Sequence, residues 1–183
     1  VSKGTLIEQA VCDTDGNAVF HADVPLNFHY SVKEIQAPDK YFMSDAVYEF
    51  YYEYKDDKTY TYVFENEFKN EEVRGEVHVS KIDKDTQEFL PQGDAKLEGA
   101  RYGIYAAEDI EYPNKKSGIV YKKNELVAQG TISSEGTVDF KNLYLGKYFV
   151  KEIEPAEGYL LDETQYPVDV NYEGQEVKIV HRY

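Results

Sequence analysis

Two charged residues fall on strand faces that are otherwise apolar. In GEVHVSKID (75–83), Lys81 has the same parity as Val77 and Val79, and in KYFVKEI (147–153), Glu152 has the same parity as Tyr148 and Val150. Side chains two apart on a strand share a face. If that face is the core, both charges are buried, and a buried charge must be paired or neutralised. Desolvation favours the neutral amine of a lysine and the neutral acid of a glutamate. The amine is then a nucleophile and the acid a proton donor, a pair able to drive amide formation with a nearby Asn or Asp. Glu34 follows Tyr30 and Val32 in the same parity. Further on, TYTYVFENEFKN (59–70) reads as a last strand, with Tyr60, Tyr62, Phe64, Asn66, Phe68 and Asn70 on one face, so Asn66 and Asn70 are candidate acceptors. A plainer reading stays open, with a strand-end lysine reaching solvent and the asparagines in edge turns.

Other chemistries find less support. Cys12 is the single cysteine, which excludes an internal disulfide and a multi-cysteine metal site. The four histidines show no HxxxH spacing, and no metal or cofactor is expected. DTDGN (13–17) has the look of a calcium loop, but no glutamate stands at its twelfth position, and it aligns with SSEGT, so a hairpin turn is expected. EYPNKK (111–116) faintly resembles a pilin polymerisation motif, yet it sits where a hairpin loop belongs. Hydrolysis would need a nucleophile–base motif or a defined carboxylate pair, and neither stands out. Turnover catalysis is not expected.

The elements that must position these residues are strands. Eighteen tyrosines and nine phenylalanines against one methionine favour sheet over helix. Short alternating runs bounded by Gly, Asn and Asp argue for a β-sandwich. The chain also repeats itself. KGTLIEQAVCDTDGNAVF (3–20) matches KNELVAQGTISSEGTVDF (123–140) at an offset of 120, and YSVKEIQAPDKYF (30–42) matches YFVKEIEPAEGYL (148–160) at an offset of 118. Tyr48 matches Tyr166 at the same offset of 118. Two copies of one unit are expected, divided into 1–73, a first copy without its first strands, and 74–183, a second copy. KNEEVR (69–74) is the junction, too short and charged to act as a free hinge. A net charge of −15 disfavours nucleic acid and anionic membranes, and no apolar run is long enough to span a bilayer. No signal peptide is visible and Val1 is not a start residue, so a piece of a longer protein is expected.

VHVSKIDKDTQEFLPQGDAKLEGARYGIY (77–105), followed by GKYFVKEIEPAEGYLLDE (146–163), resembles the B-type repeat of collagen adhesins and the SpaA-like pilin domains of Gram-positive surface proteins. The resemblance covers nearly the whole chain and includes the strand lysine, Gly99-Ala100-x-Tyr102, and the Y-x-V-x-E strand followed by Pro155 and Gly158-Tyr159. It implies an all-β fold of tandem prealbumin-like (reverse Ig-like) sandwiches, and a structural stalk exposed outside the cell and anchored to the cell wall. Its partners would be neighbouring repeats of the same protein. The alternative is an adhesin module that binds host matrix or glycan through tyrosine-rich surfaces such as 48–54. In such domains the lysine joins an Asn or Asp of the last strand in a spontaneous isopeptide bond assisted by the glutamate. By position the resemblance makes Lys81 the nucleophile and Glu152 the acid, with Glu34 the acid and Asn66 or Asn70 the acceptor of the first copy. Two departures stand out. The first copy has no equivalent of Lys81, and the second carries His181 and Tyr183 where an acceptor belongs. At offset 118, Asn66 maps to position 184 and Asn70 to 188, so the acceptor for Lys81 is expected just after this segment.

Overall fold

The computed structural model describes residues 2–172 and, through their backbone, 179–182. Among the described residues every regular element is a strand. In chain order they are β1 (His29–Lys33), β2 (Val47–Tyr51), β3 (Gly75–Ser80), β4 (Arg101–Ala106), β5 (Ile110–Glu111), β6 (Ile119–Tyr121), β7 (Leu126–Thr131), β8 (Thr137–Leu143), β9 (Gly146–Glu154), β10 (Tyr166–Val170) and β11 (Ile179–Arg182). Two compact units result, one of Val1–Lys33 with Ala46–Glu67, the other of Glu34–Asp45 with Phe68–Tyr183. This division differs from the expected cut at 73/74, because residues 34–45 and 68–73 cluster with the larger unit.

That larger unit is a β-sandwich. One sheet has the order β10-β9-β4-β7, the other β11-β3-β8, and β5 and β6 form a small hairpin. The core lies between the sheets and is filled by alternate residues: Val77 and Val79 from β3, Ile104 and Ala106 from β4, Tyr148 and Val150 from β9, Val168 and Val170 from β10. Close sheet approach depends on small residues. A Cβ on Gly75 would collide with Val170 of the facing sheet, and one on Gly130 would lie 2.5 Å from Val138 Cγ2. The expected junction is fastened to this unit. Tyr41 bridges Glu72, Val73 N–H donates to the Lys40 carbonyl at 2.9 Å, and the Arg74 guanidinium lies 3.2 Å from the centre of the Tyr144 ring. A stacked cation of this kind adds attraction beyond area burial.

The smaller unit has less regular structure. β1 and β2 pair antiparallel, with Tyr30 opposite Phe50 and Val32 opposite Tyr48. None of its described hydrophobic side chains is buried, and Val11 is 93% exposed. The expected turn at Asp13–Asn17 is present: Gly16 N–H donates to the Asp13 carbonyl at 3.1 Å, and Gly136 N–H makes the same bond to Ser133 at 2.9 Å. Asp13 Oδ1 accepts the N–H groups of Asp15 and Asn17, which makes the motif an Asx turn. The expected last strand at 59–70 is not a strand. A strand needs a ladder partner. Its counterpart in the larger unit, β11, pairs with β3, and among the described residues no strand pairs with 59–70. Of the expected final strand of the second copy, Ile179–Arg182 is seen, running parallel to β3, while Val177 and Tyr183 lie outside the described residues.

Candidate functional site

Lys81 and Glu152 meet across the sandwich. Lys81 follows the last residue of β3, and its backbone N–H continues the β3–β8 ladder by donating to the Gly136 carbonyl at 2.9 Å. Glu152 belongs to β9 of the opposite sheet, where it pairs with Tyr102 of β4. Lys81 Nζ donates to Glu152 Oε1 at 2.9 Å, with side-chain exposures of 10% and 0%. The parity argument therefore holds for both residues, and neither charge reaches solvent freely.

The surroundings of this pair are aromatic and polar in a defined way. The Tyr102 hydroxyl lies 3.4 Å from Lys81 Nζ. The rings of Tyr102 and Tyr159 stand 5.7 and 5.5 Å from that nitrogen. Burial, with the Glu152 carboxyl beside it, pushes the Tyr102 phenol well above the usual tyrosine range, so it stays a neutral donor. Tyr159 is held by its hydroxyl, which donates to buried Asp83 Oδ2 at 2.8 Å. Asp83 also accepts from Asp85 N, Thr86 N and Gln92 Nε2. These donors, first the Thr86 N–H, then Gln92 and Tyr159, hold its carboxyl well below the usual aspartate range. Asp83 has the same parity as Lys81, yet its oxygens are already taken, which leaves Glu152 as the partner of the amine. The second oxygen of Glu152 accepts the main-chain N–H of Asp162 at 2.7 Å.

A second contact of a glutamate with a nitrogen lies at Glu34. Glu34 Oε2 accepts Asn70 Nδ2 at 2.6 Å and the Ser44 N–H at 2.6 Å. Asn70 Nδ2 also donates to the Phe42 carbonyl at 3.0 Å. With acceptors on both sides, the amide nitrogen must face the glutamate, as a leaving group facing an acid would. Asn66 is not brought to Glu34. It is exposed, and its Oδ1 accepts from the adjacent Glu67 N–H. Lys81 and Glu152 thus form an amine–acid pair, and Glu34 and Asn70 an acid–amide pair.

Sequence reasoning left Tyr102 and Tyr159 without a role, though both stood in the quoted motifs, and it missed Asp83, whose signal was its parity with Lys81. Asp162 acts through its backbone and offered no side-chain signal. The tyrosine-rich stretch 48–54 is partly turned inward. Phe50 stacks on Tyr30 at 5.4 Å and on Phe64 at 4.5 Å, and Tyr52 packs on Tyr62 at 5.6 Å. A cleft of about 310 Å³ opens at the Gly146 end of β9, opposite the Glu152 end, among Glu108, Asp109, Glu111 and Asp169. Among the described residues, no group of three His, Cys, Asp or Glu side chains is arranged to hold a metal ion.

A family model described as the SpaA prealbumin-like fold domain matches residues 75–182. Among solved structures, the TIE protein of Bacillus anthracis is similar at 28% identity with a TM-score of 0.58, over 92% of this chain and 26% of that one. The pilus 2b backbone protein of group B streptococcus matches at 18% identity and TM-score 0.41, over 65% of this chain and 44% of that one. The major pilin SpaD of Corynebacterium diphtheriae matches at 16% identity and TM-score 0.36, over 60% and 29%. No curated protein matches this chain. The chain spans about a quarter of the length of the Bacillus anthracis protein.

Proposed function

The chain belongs to the SpaA prealbumin-like fold family, and from that premise we propose that it is a structural repeat of a stalk or pilus on a Gram-positive cell wall, locked by an isopeptide bond from Lys81. The observation that carries the reading is the Lys81–Glu152 pair, an amine 2.9 Å from an acid with no exposure, spanning the two sheets. A pair so placed gives little net stability by itself, because desolvation offsets most of the attraction. It is well suited to a single covalent event. The amine nitrogen attacks the side-chain carbonyl of an Asn, the bond to the amide nitrogen breaks, and ammonia leaves while the glutamate carries the proton between the two nitrogens. With Asp as acceptor, water leaves instead. The side chains are consumed, so there is no turnover.

The Glu34–Asn70 contact supports the same chemistry from the acceptor's side. The β11–β3 ladder supports an acceptor on a continuation of β11. His181 stands opposite Val77, an offset of 104, so position 185 would stand opposite Lys81. Asn70, the asparagine that meets Glu34, maps by the repeat offset to position 188, three residues further on. A bond there would close a loop of about 100 residues, restricting the unfolded chain by about 4–5 kcal/mol in the entropy model used for disulfides. For a chain whose single cysteine allows no internal disulfide, such closure is a route to resisting shear and proteolysis.

Intact mass tests the proposal. A parent chain that continues β11 beyond residue 183 should be lighter than its sequence by one ammonia or one water, and Lys81→Ala or Glu152→Ala should restore the full mass. A folded parent chain of unmodified mass that retains both residues would refute it.

A further inference from the structure

We propose that the main-chain N–H ten residues beyond each acid is a positioning group of the crosslinking site, a latch that holds one carboxyl oxygen and reserves the other for the lysine. The inference rests on the crosslinking reading above and adds a part to it. In the second copy, Asp162 N–H donates to Glu152 Oε2 at 2.7 Å, and Lys81 takes Oε1. In the first, Ser44 N–H donates to Glu34 Oε2 at 2.6 Å. The repeat offset of 118 carries Glu34 onto Glu152 and Ser44 onto Asp162. The side chains at the latch differ, so what recurs is the backbone.

The loops that deliver the latch recur as well. Tyr41 N–H donates to the Pro38 carbonyl at 3.2 Å, and Tyr159 N–H to the Ala156 carbonyl at 3.1 Å, the same turn at the same offset. Each turn passes through one left-handed residue, Lys40 at φ 68° and Gly158 at φ 87°, again 118 apart. A left-handed lysine is strained relative to glycine. Two loops of different sequence, one of them bearing that strain, return the chain to the same carboxyl atom.

The two half-sites then divide the work of the carboxyl. The latched oxygen also receives the acceptor amide, as Asn70 Nδ2 does at 2.6 Å, and the other oxygen receives the amine, as Lys81 does at 2.9 Å. The amine forms its bond to the acceptor Cγ and gives its surplus proton to one oxygen. The carboxyl enters as the neutral acid with its proton on the other oxygen, which hands that proton to the departing nitrogen; ammonia leaves, and the carboxyl ends neutral as it began. A glutamate free to rotate would present either oxygen to either nitrogen. The latch removes that freedom.

Nuclear magnetic resonance on the 183-residue chain tests the contact without altering it. The amide protons of Asp162 and Ser44 should move with pH in step with the carboxyl carbons of Glu152 and Glu34, and Glu152→Gln should abolish the response at Asp162 while sparing Ser44. In the parent chain, an ester in place of the amide at 162, which deletes the N–H, should slow ammonia or water loss by about tenfold and shift its pH–rate profile. Asp162→Ala, which keeps the N–H, should react at close to the parent rate. If the ester chain does not fold, the amide response decides. A flat Asp162 amide while Glu152 titrates, or an ester chain reacting at the parent rate, would overturn the latch. A parent chain that keeps its full mass although both amides follow their carboxyls would overturn the crosslinking reading and leave the latch standing.

Discussion

Glu152 has no exposure, and among the described residues Lys81 is the cation paired with it. Removing that cation leaves the carboxylate buried and unpaired. Lys81→Ala should therefore destabilise the uncrosslinked chain by about 3–5 kcal/mol, whereas Lys81→Met combined with Glu152→Leu should be near neutral or stabilising. Denaturant unfolding of the three chains measures this. Asp83 makes a different prediction. Its folded-state carboxyl lies well below the usual range, held by Thr86, Gln92 and Tyr159. A depressed acid contributes stability that is fully present above its unfolded pKa, about 3.9, and is lost as pH falls through the folded value. The midpoint difference between the parent chain and Asp83→Asn should be widest near neutrality and shrink steadily below about pH 4. Lys81 and Glu152 were legible from parity alone, because an alternating strand assigns every side chain to a face. The partners of Glu34 were legible only in part. Asn70 reaches it and Asn66 does not, and parity could not separate two asparagines in a segment that forms no ladder.

At the scale of elements, β3, β4 and β9 position the site, and each was visible as an alternating run. β9 delivers Tyr148, Val150 and Glu152 inward, while β3 ends where Lys81 must turn in from the opposite sheet. Their separation is set by residues that carry no pattern. Gly75 faces Val170, so an added Cβ would push β3 away from β10. Gly75→Ala should cost about 1–3 kcal/mol by overpacking, read as a lowered thermal midpoint, and should slow any reaction at Lys81 by moving the end of β3. The segment 59–70 looked like a strand for a sound local reason, its alternation of aromatic residues. Alternation specifies a face, but a strand also needs a neighbour to bond with. The aromatic rings of this unit instead pack on one another, Phe50 against Tyr30 and Phe64.

At the scale of the molecule, the repeat found in the sequence reappears as recurring local geometry: the Asp13 and Ser133 turns, the Pro38 and Ala156 turns, and the two latched acids. The compact units follow a different division, because the chain at 40–42 and 71–74 bonds to itself and joins the larger unit. Sequence patterns count copies of a motif, while compact units follow where chains touch, and the two need not coincide. The surplus of acidic residues fits a solvated surface far better than one meant for phosphates. The central claim is that Lys81 becomes an amide nitrogen, and fragment-ion mass spectrometry of a protease digest of the parent chain tests it most directly. The account predicts a branched peptide joining Lys81 to an Asn or Asp on the continuation of β11, lighter by one ammonia or one water than its two arms. A linear peptide carrying Lys81 with a free amine, recovered in full yield from the folded parent chain, would contradict it.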